Sequence, residues 1–210
     1  AQRGAFVDLG ALDVMQIFGR AGRPQFDTSG EGIIITQHAK LAHYLQMLLM
    51  QKPIESQFVS KLCDPLCAEV ALGTVTSVRE AVVWLSYTYL YVRMSRNPLA
   101  YGVPFDRPER DPALAQWRAE LIGSMAKRLD AARLIRYHAP SGSLDPTQIG
   151  RTASHFYLSV SSIEAFADHW HERASEADIL HTLCCASEFS QMKVREEEMD
   201  ELEQMAADCR

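Results

Sequence analysis

No stretch of this sequence stays apolar long enough to cross a bilayer. The longest candidate, AVVWLSYTYLYV at 81–92, falls well short of the roughly 20 residues that a membrane helix needs. Basic residues are in the minority, with 21 Lys and Arg against 27 Asp and Glu, for a net charge of −6. Bulk electrostatic adhesion to nucleic acid or to an acidic membrane is therefore not expected, and only a local basic site remains open. Cysteine is sparse and odd in number. Cys63, Cys67, Cys184, Cys185 and Cys209 make no C-x-x-C pair, which argues against a disulfide framework and against structural zinc. Free thiols in a reducing compartment are the expectation. Nine Pro and eleven Gly are too few for a disordered or collagen-like chain. No signal peptide opens the sequence, and it begins on Ala rather than Met, so a piece of a longer protein is expected.

What is present suits one large domain or two small ones, since 210 residues that are 47% hydrophobic can bury a sizeable core. Leu12, Met15 and Phe18 give a short helical stripe that runs into the loop GRAGRPQFDTSG. The apolar run Ile33, Ile34, Ile35, Thr36 then reads as a fully buried strand. A second helix follows, with Leu41, Tyr44, Leu45, Leu48 and Leu49 on one face and Pro53 closing it. Helix, loop, strand and helix in that order are the end of an α/β layer.

The character changes at 52–58. Ser77 and Glu80 form a capping box that predicts one helix through about Met94, apolar nearly all round and hence buried on most sides. Residues 97–112 carry Pro98, Pro104, Pro108 and Pro112 and read as a surface loop. Leu114, Trp117, Leu121, Met125 and Leu129 mark an amphipathic helix, and residues 134–137 a short strand leading to a Ser141-Gly142 turn. Helices followed by a small strand and turn suggest a winged-helix module over roughly 55–145. Beyond it, Ser161 with Glu164 makes another capping box, and the tail from 196 to 208 is an acidic helix.

One segment carries chemistry: QIFGRAGRP at 16–24. Arg20 and Arg23 lie three residues apart, separated by residues small enough for a backbone to approach a ligand. A guanidinium is planar, permanently charged and bidentate, which suits the oxygens of a transferring phosphoryl group. Gln16, one turn earlier, adds a neutral hydrogen bond or orients a water. These are the parts of an arginine finger, worth about 10³ to 10⁵ in rate in other systems.

This segment resembles motif VI of the Ski-like superfamily-two helicases. The resemblance continues through FD at 26–27, GEGIIIT at 30–36, PIESQ at 53–57, AE at 68–69 and LGTV at 72–75. YTYLYVRM at 87–94, NPLAYG at 97–102, GRTASH at 150–155 and KVREEE at 193–198 extend it over nearly the whole chain. It implies an α/β then mostly α architecture in three parts. Residues 1–52 would end a second RecA-like domain, 53–147 would be a winged helix, and 148–210 would begin a helical ratchet bundle. It further implies a 3′ to 5′ motor whose Arg20 and Arg23 reach the γ-phosphate of ATP, with Gln16 and Gly19 lining the same cleft. ATP and Mg²⁺ would be held mainly by a first RecA-like domain. The implied partners are single-stranded or duplex nucleic acid, DNA or RNA, and other subunits of a helicase complex. Nuclear and cytoplasmic work in DNA repair and in ribosome quality control is implied too. The sequence contains no G-x-x-x-x-G-K-[ST] loop and no D-E-x-H box. These residues alone are therefore expected neither to hydrolyse ATP nor to unwind a duplex.

Other features read as packing or solvation. His169 and His171 would sit on different faces of a regular helix, as would His38 and His43, so no metal ligand is assigned. Pro65 is expected to break any helix between Cys63 and Cys67, which read as packing thiols. Arg93, Arg96, Arg107, Arg110, Lys127, Arg128, Arg133 and Arg136 offer a possible phosphate-facing patch. Two alternatives to the motor stand beside it: a non-catalytic helicase-like cassette serving as a protein-interaction scaffold, and a free-standing winged-helix DNA binder, which the acidic balance disfavours.

Overall fold

The computed structural model describes residues 9–23, 25–49, 53–190, 192 and 194–208. Pro24, Lys193 and Cys209, which entered the sequence reading, lie outside them. The chain divides into two compact units, one ending at Ile54 and one beginning at Glu55. Among the described residues no helix is long and apolar enough to cross a membrane.

The first unit holds α1 (Ala11–Phe18) and α2 (Leu41–Leu48), each two turns long. Leu12 is exposed, and α1 instead buries Val14, while α2 buries Tyr44. The expected strand at 33–36 does not form: residues 31–37 have no regular structure, and Ile33 and Ile35 are 84% and 96% exposed. A strand exists only as half of a ladder, and among the described residues of this unit there is no second strand to complete one.

The second unit is built on α3 (Cys63–Leu72), α4 (Val78–Ser86), α5 (Tyr89–Arg96), the single turn α6 (Arg107–Arg110) and the long α7 (Ala115–Ala131). A hairpin follows, β1 (Ile135–His138) antiparallel to β2 (Ser143–Pro146), with Ile135 opposite Pro146 and His138 opposite Ser143. Leu144 N–H donates to Thr76 O at 2.8 Å and Ser77 bridges Ser143, so the segment before α4 lies along the hairpin's edge. Then come α8 (Gln148–His155), α9 (Val160–His169), α10 (Glu176–Cys184) and α11 (Met199–Asp208). Helices against a small hairpin sheet are the winged-helix arrangement, and the unit as a whole is mostly helical.

Several local expectations are corrected. Pro65 does not break a helix, because it stands in the first turn of α3, where a missing N–H has no intrahelical acceptor to lose. Cys63 and Cys67 are accordingly one turn apart and both buried. The expected helix from 77 to 94 is two helices. Thr88 Oγ1 donates to Leu85 O at 2.7 Å and accepts from Tyr91 N–H at 3.4 Å, ending α4 and capping α5 in one residue. The apparent all-round apolarity of 81–92 resolves accordingly: α4 buries Ala81 and Leu85, α5 buries Leu90 and Met94, and Val83, Tyr87, Tyr89 and Val92 are exposed.

Ser77 does cap α4, accepting from Glu80 N–H at 3.3 Å, but the Glu80 carboxylate reaches back to Thr76 rather than to Ser77. On α7 the fully buried stripe runs through Ile122, Ala126 and Leu129 and includes Arg118, with Trp117, Leu121 and Met125 beside it. Arg118 is held by the carbonyls of Val82, Ala113 and Leu114 and lies 4.4 Å from the Tyr91 ring centroid. The cap of α9 is Ser159, two residues before the expected Ser161, and Glu164 pairs with Arg128 on α7 instead of closing a box.

Candidate functional site

The expected phosphoryl-transfer residues follow α1 closely. Gln16 is on the helix and exposed, and Gly19 caps its end in a right-handed conformation, donating to Met15 O at 2.9 Å. Arg20 N–H bonds Ile17 O at 3.1 Å and Ala21 N–H bonds Phe18 O at 3.0 Å, so the chain leaves the helix through a tight turn. Asp27 then fixes the loop: its carboxylate accepts from Arg23 N–H at 2.8 Å, while Phe26 and Asp27 N–H both donate to Arg23 O. The backbone at Arg23 is therefore committed. Arg20 and Arg23 are both exposed, and neither guanidinium has an ion pair among the described residues. Beside them, Val14, Ile17, Phe18, Ala21 and residues 31–35 line a cavity of about 390 Å³.

In the second unit the motifs that carry the helicase resemblance meet at one carboxylate. Glu55, from PIESQ, receives Arg93 through Nη2 at 2.8 Å and Nε at 3.2 Å. Asn97 Nδ2 donates to it at 2.8 Å and the Tyr101 hydroxyl at 2.7 Å. Tyr101 in turn accepts from Ser56 N–H at 2.7 Å. These donors, the Arg93 guanidinium foremost, hold the Glu55 carboxyl down at about 2. Arg93 is buried, so it belongs to this clamp and not to a phosphate-facing patch.

Three more residues of the expected patch are neutralised as well. Arg107 pairs with Glu120 at 2.5 Å, Arg110 with Asp106 at 3.4 Å, and Arg128 with Glu164 at 2.7 Å. Half of the eight basic residues proposed from sequence therefore face carboxylates. Each pair joins positions distant in sequence or set by a turn, which charge counting does not register.

The thiols divide by environment. Cys63 and Cys67 are buried, and burial pushes the Cys67 thiol up to about 11, which leaves it inert as a nucleophile. Cys185 lies at the end of α10, with its Sγ 3.8 Å from His181 Nε2 and 3.9 Å from His169 Nε2. Sequence spacing pairs His169 with His171, but α9 ends at His169 and the chain turns back, so His169 meets α10 instead. The one sequence signal for this group is the i, i+4 spacing of His181 and Cys185.

Residues 55–131 match the family model of a winged helix-turn-helix domain, and residues 146–210 that of the Sec63 Brl domain. Subunit 3 of the activating signal cointegrator 1 complex from Gallus gallus is 55% identical over 208 residues, 99% of this chain and 9% of that protein. The Homo sapiens subunit is 55% identical over 203 residues, 97% of this chain and 9% of its own. A DExH-box ATP-dependent RNA helicase from Arabidopsis thaliana is 52% identical over 209 residues, 100% of this chain and 10% of that protein. The chain is homologous to one segment of each of these proteins. It spans about a tenth of the length of these relatives. The winged-helix match opens at the Glu55 clamp and takes in α3 through α7, and the Sec63 match takes in α8 through α11.

Proposed function

We propose that this chain is part of an ATP-dependent 3′ to 5′ nucleic-acid helicase and contributes Arg20 and Arg23 as arginine fingers. The observation that carries the reading is the loop at 19–27. The backbone at Arg23 is tied down through Asp27, while both guanidiniums stand exposed and unpaired among the described residues. A finger must be held at its root and open at its tip, because the charge it stabilises develops on a phosphate bound elsewhere. ATP and Mg²⁺ are then bound mainly by a first RecA-like domain, with Gln16 and Gly19 facing the same cleft.

In this reading residues 1–52 close a second RecA-like domain, and the exposed run at 33–36 is a strand that pairs within that larger sheet. Residues 53–147 are the winged helix that braces the motor, and 148–210 begin the ratchet-type helical domain. The strand translocated is DNA or RNA, other subunits of a helicase complex are partners, and the work is nuclear and cytoplasmic. Carboxylate pairing of Arg93, Arg107, Arg110 and Arg128, half of the candidate patch, supports a brace over a free-standing DNA binder. Without a phosphate-binding loop, the 210 residues alone are inactive.

Peptide mapping of the native polypeptide containing QIFGRAGRPQFD comes first, followed by substitution within it. Upstream peptides with an intact G-K-[ST] loop and D-E-x-H box are expected. In that protein R20A and R23A are each expected to lower nucleic-acid-stimulated ATP turnover by about 10³-fold or more. R23K should recover little, since an ammonium keeps the charge and loses the fork. Undiminished turnover in these variants removes the finger assignment. An upstream loop lacking its Lys makes the chain a non-catalytic scaffold cassette.

A further inference from the structure

The end of α9 and the end of α10 bring together His169, His181 and Cys185, whose ligand atoms all lie within 4.8 Å of one another. We propose that these three side chains form a zinc site that staples α9 to α10. The proposal goes beyond the helicase reading and does not depend on it.

The orientation of each group favours a cation over a simple hydrogen-bonded cluster. His169 Nδ1 lies 2.8 Å from Ala165 O one turn back, an acceptor only, so Nδ1 carries the proton and Nε2 presents its lone pair. A carbonyl on the far nitrogen is the usual outer partner of a metal-binding imidazole, fixing both tautomer and ring angle. That Nε2 and the Nε2 of His181 both point at the Cys185 sulfur, at 3.9 and 3.8 Å, and the two rings are 5.3 Å apart. A single S–H proton can serve one imidazole only.

A tetrahedral zinc with bonds of about 2.0–2.1 Å to nitrogen and about 2.3 Å to sulfur separates N from S by about 3.5 Å. The two N···S separations thus need to close by a few tenths of an ångström, and the two imidazole nitrogens, within 4.8 Å of each other, need to come to about 3.4 Å, which rotation of exposed side chains supplies. Two imidazoles and a thiolate are the donors of a borderline-soft ion, whereas Mg²⁺ and Ca²⁺ take oxygen. On binding, the Cys185 thiol gives its proton to solvent as the Zn–S bond forms. The fourth position is left to water. All three side chains are exposed or half-exposed, so zinc has direct access and substitution leaves the core untouched.

The reduced 210-residue chain, dialysed against Zn²⁺ and assayed for metal, is expected to retain one zinc. With Co²⁺ as the probe, a thiolate-to-metal charge-transfer band and tetrahedral d–d absorption are expected. C185S should abolish the charge-transfer band, and H169Q and H181Q should each weaken Zn²⁺ binding by about 100-fold. C184S, at the neighbouring thiol, should leave both signals unchanged. Circular dichroism of each variant establishes that it is folded. Substoichiometric zinc in the unsubstituted chain, full zinc retention by C185S, or a thiolate band that follows Cys184 overturns the site.

Discussion

Glu55 is a charge whose surroundings were made for it. Four donor atoms from three side chains converge on its carboxylate, and they come from positions 38 to 46 residues further along. Because the carboxyl in the folded chain titrates near 2, below its unfolded value, the clamp contributes stability that is fully present above about pH 4.3. That contribution is lost as the pH falls from there toward 2. Glu80, Glu164, Asp178 and Glu188 are also lowered, so acid destabilisation as a whole is shared. The difference between the native chain and E55Q isolates this one group. Urea midpoints measured from pH 5 down to pH 3 should fall more steeply for the native chain than for E55Q, which has no proton to take up at 55. Parallel slopes would show that the carboxylate is not held in this way. The motif letters around Glu55, Arg93, Asn97 and Tyr101 were visible in the sequence, but their convergence was not. Pairing across 38 residues leaves no periodic trace, so sequence alone groups Arg93 with surface cations.

At the scale of the element, local signals translated well wherever the partner was local too. Ser77 caps α4 and the acidic tail is helical, since a cap and a helix face are set by neighbours within four residues. The break at Thr88 leaves no local signal, because its hydroxyl competes for backbone groups inside a run of continuous apolarity. Two glycines show how far an element's environment changes the meaning of one residue type. Gly150 lies in the first turn of α8, where a Cβ would collide with the carbonyl oxygen of Leu134, a backbone atom with little freedom to move. Gly123 lies inside α7, where a Cβ would find only the Tyr137 hydroxyl, at 3.8 Å. G150A should therefore cost about 1–3 kcal/mol by overpacking. G123A should gain about 0.5–1 kcal/mol from helix propensity. Opposite shifts in chemical denaturation midpoints are the expected result, and equal shifts would place the two helices in equivalent surroundings.

For the molecule as a whole, the buried core belongs almost entirely to one unit. Its contiguous cluster runs from Leu62 to Val160, whereas Val14 and Tyr44 are the buried apolar residues among the described part of the first unit. This asymmetry also explains the missing strand. Three consecutive isoleucines carry the composition of a sheet interior, yet composition encodes a demand for partners and cannot supply them. Among the described residues of this unit, two short helices and an unpaired run bury too little apolar surface to offset their own ordering entropy. Residues 55–210, separated from the rest, should accordingly unfold in one cooperative thermal transition within a few degrees of the full chain. Residues 1–54 alone should show weak helicity and no cooperative transition by circular dichroism. If the longer piece loses its transition on removal of 1–54, the core is not self-sufficient. If the shorter piece unfolds cooperatively by itself, the run at 33–36 has found its partners within those residues, and the need for a larger sheet falls away.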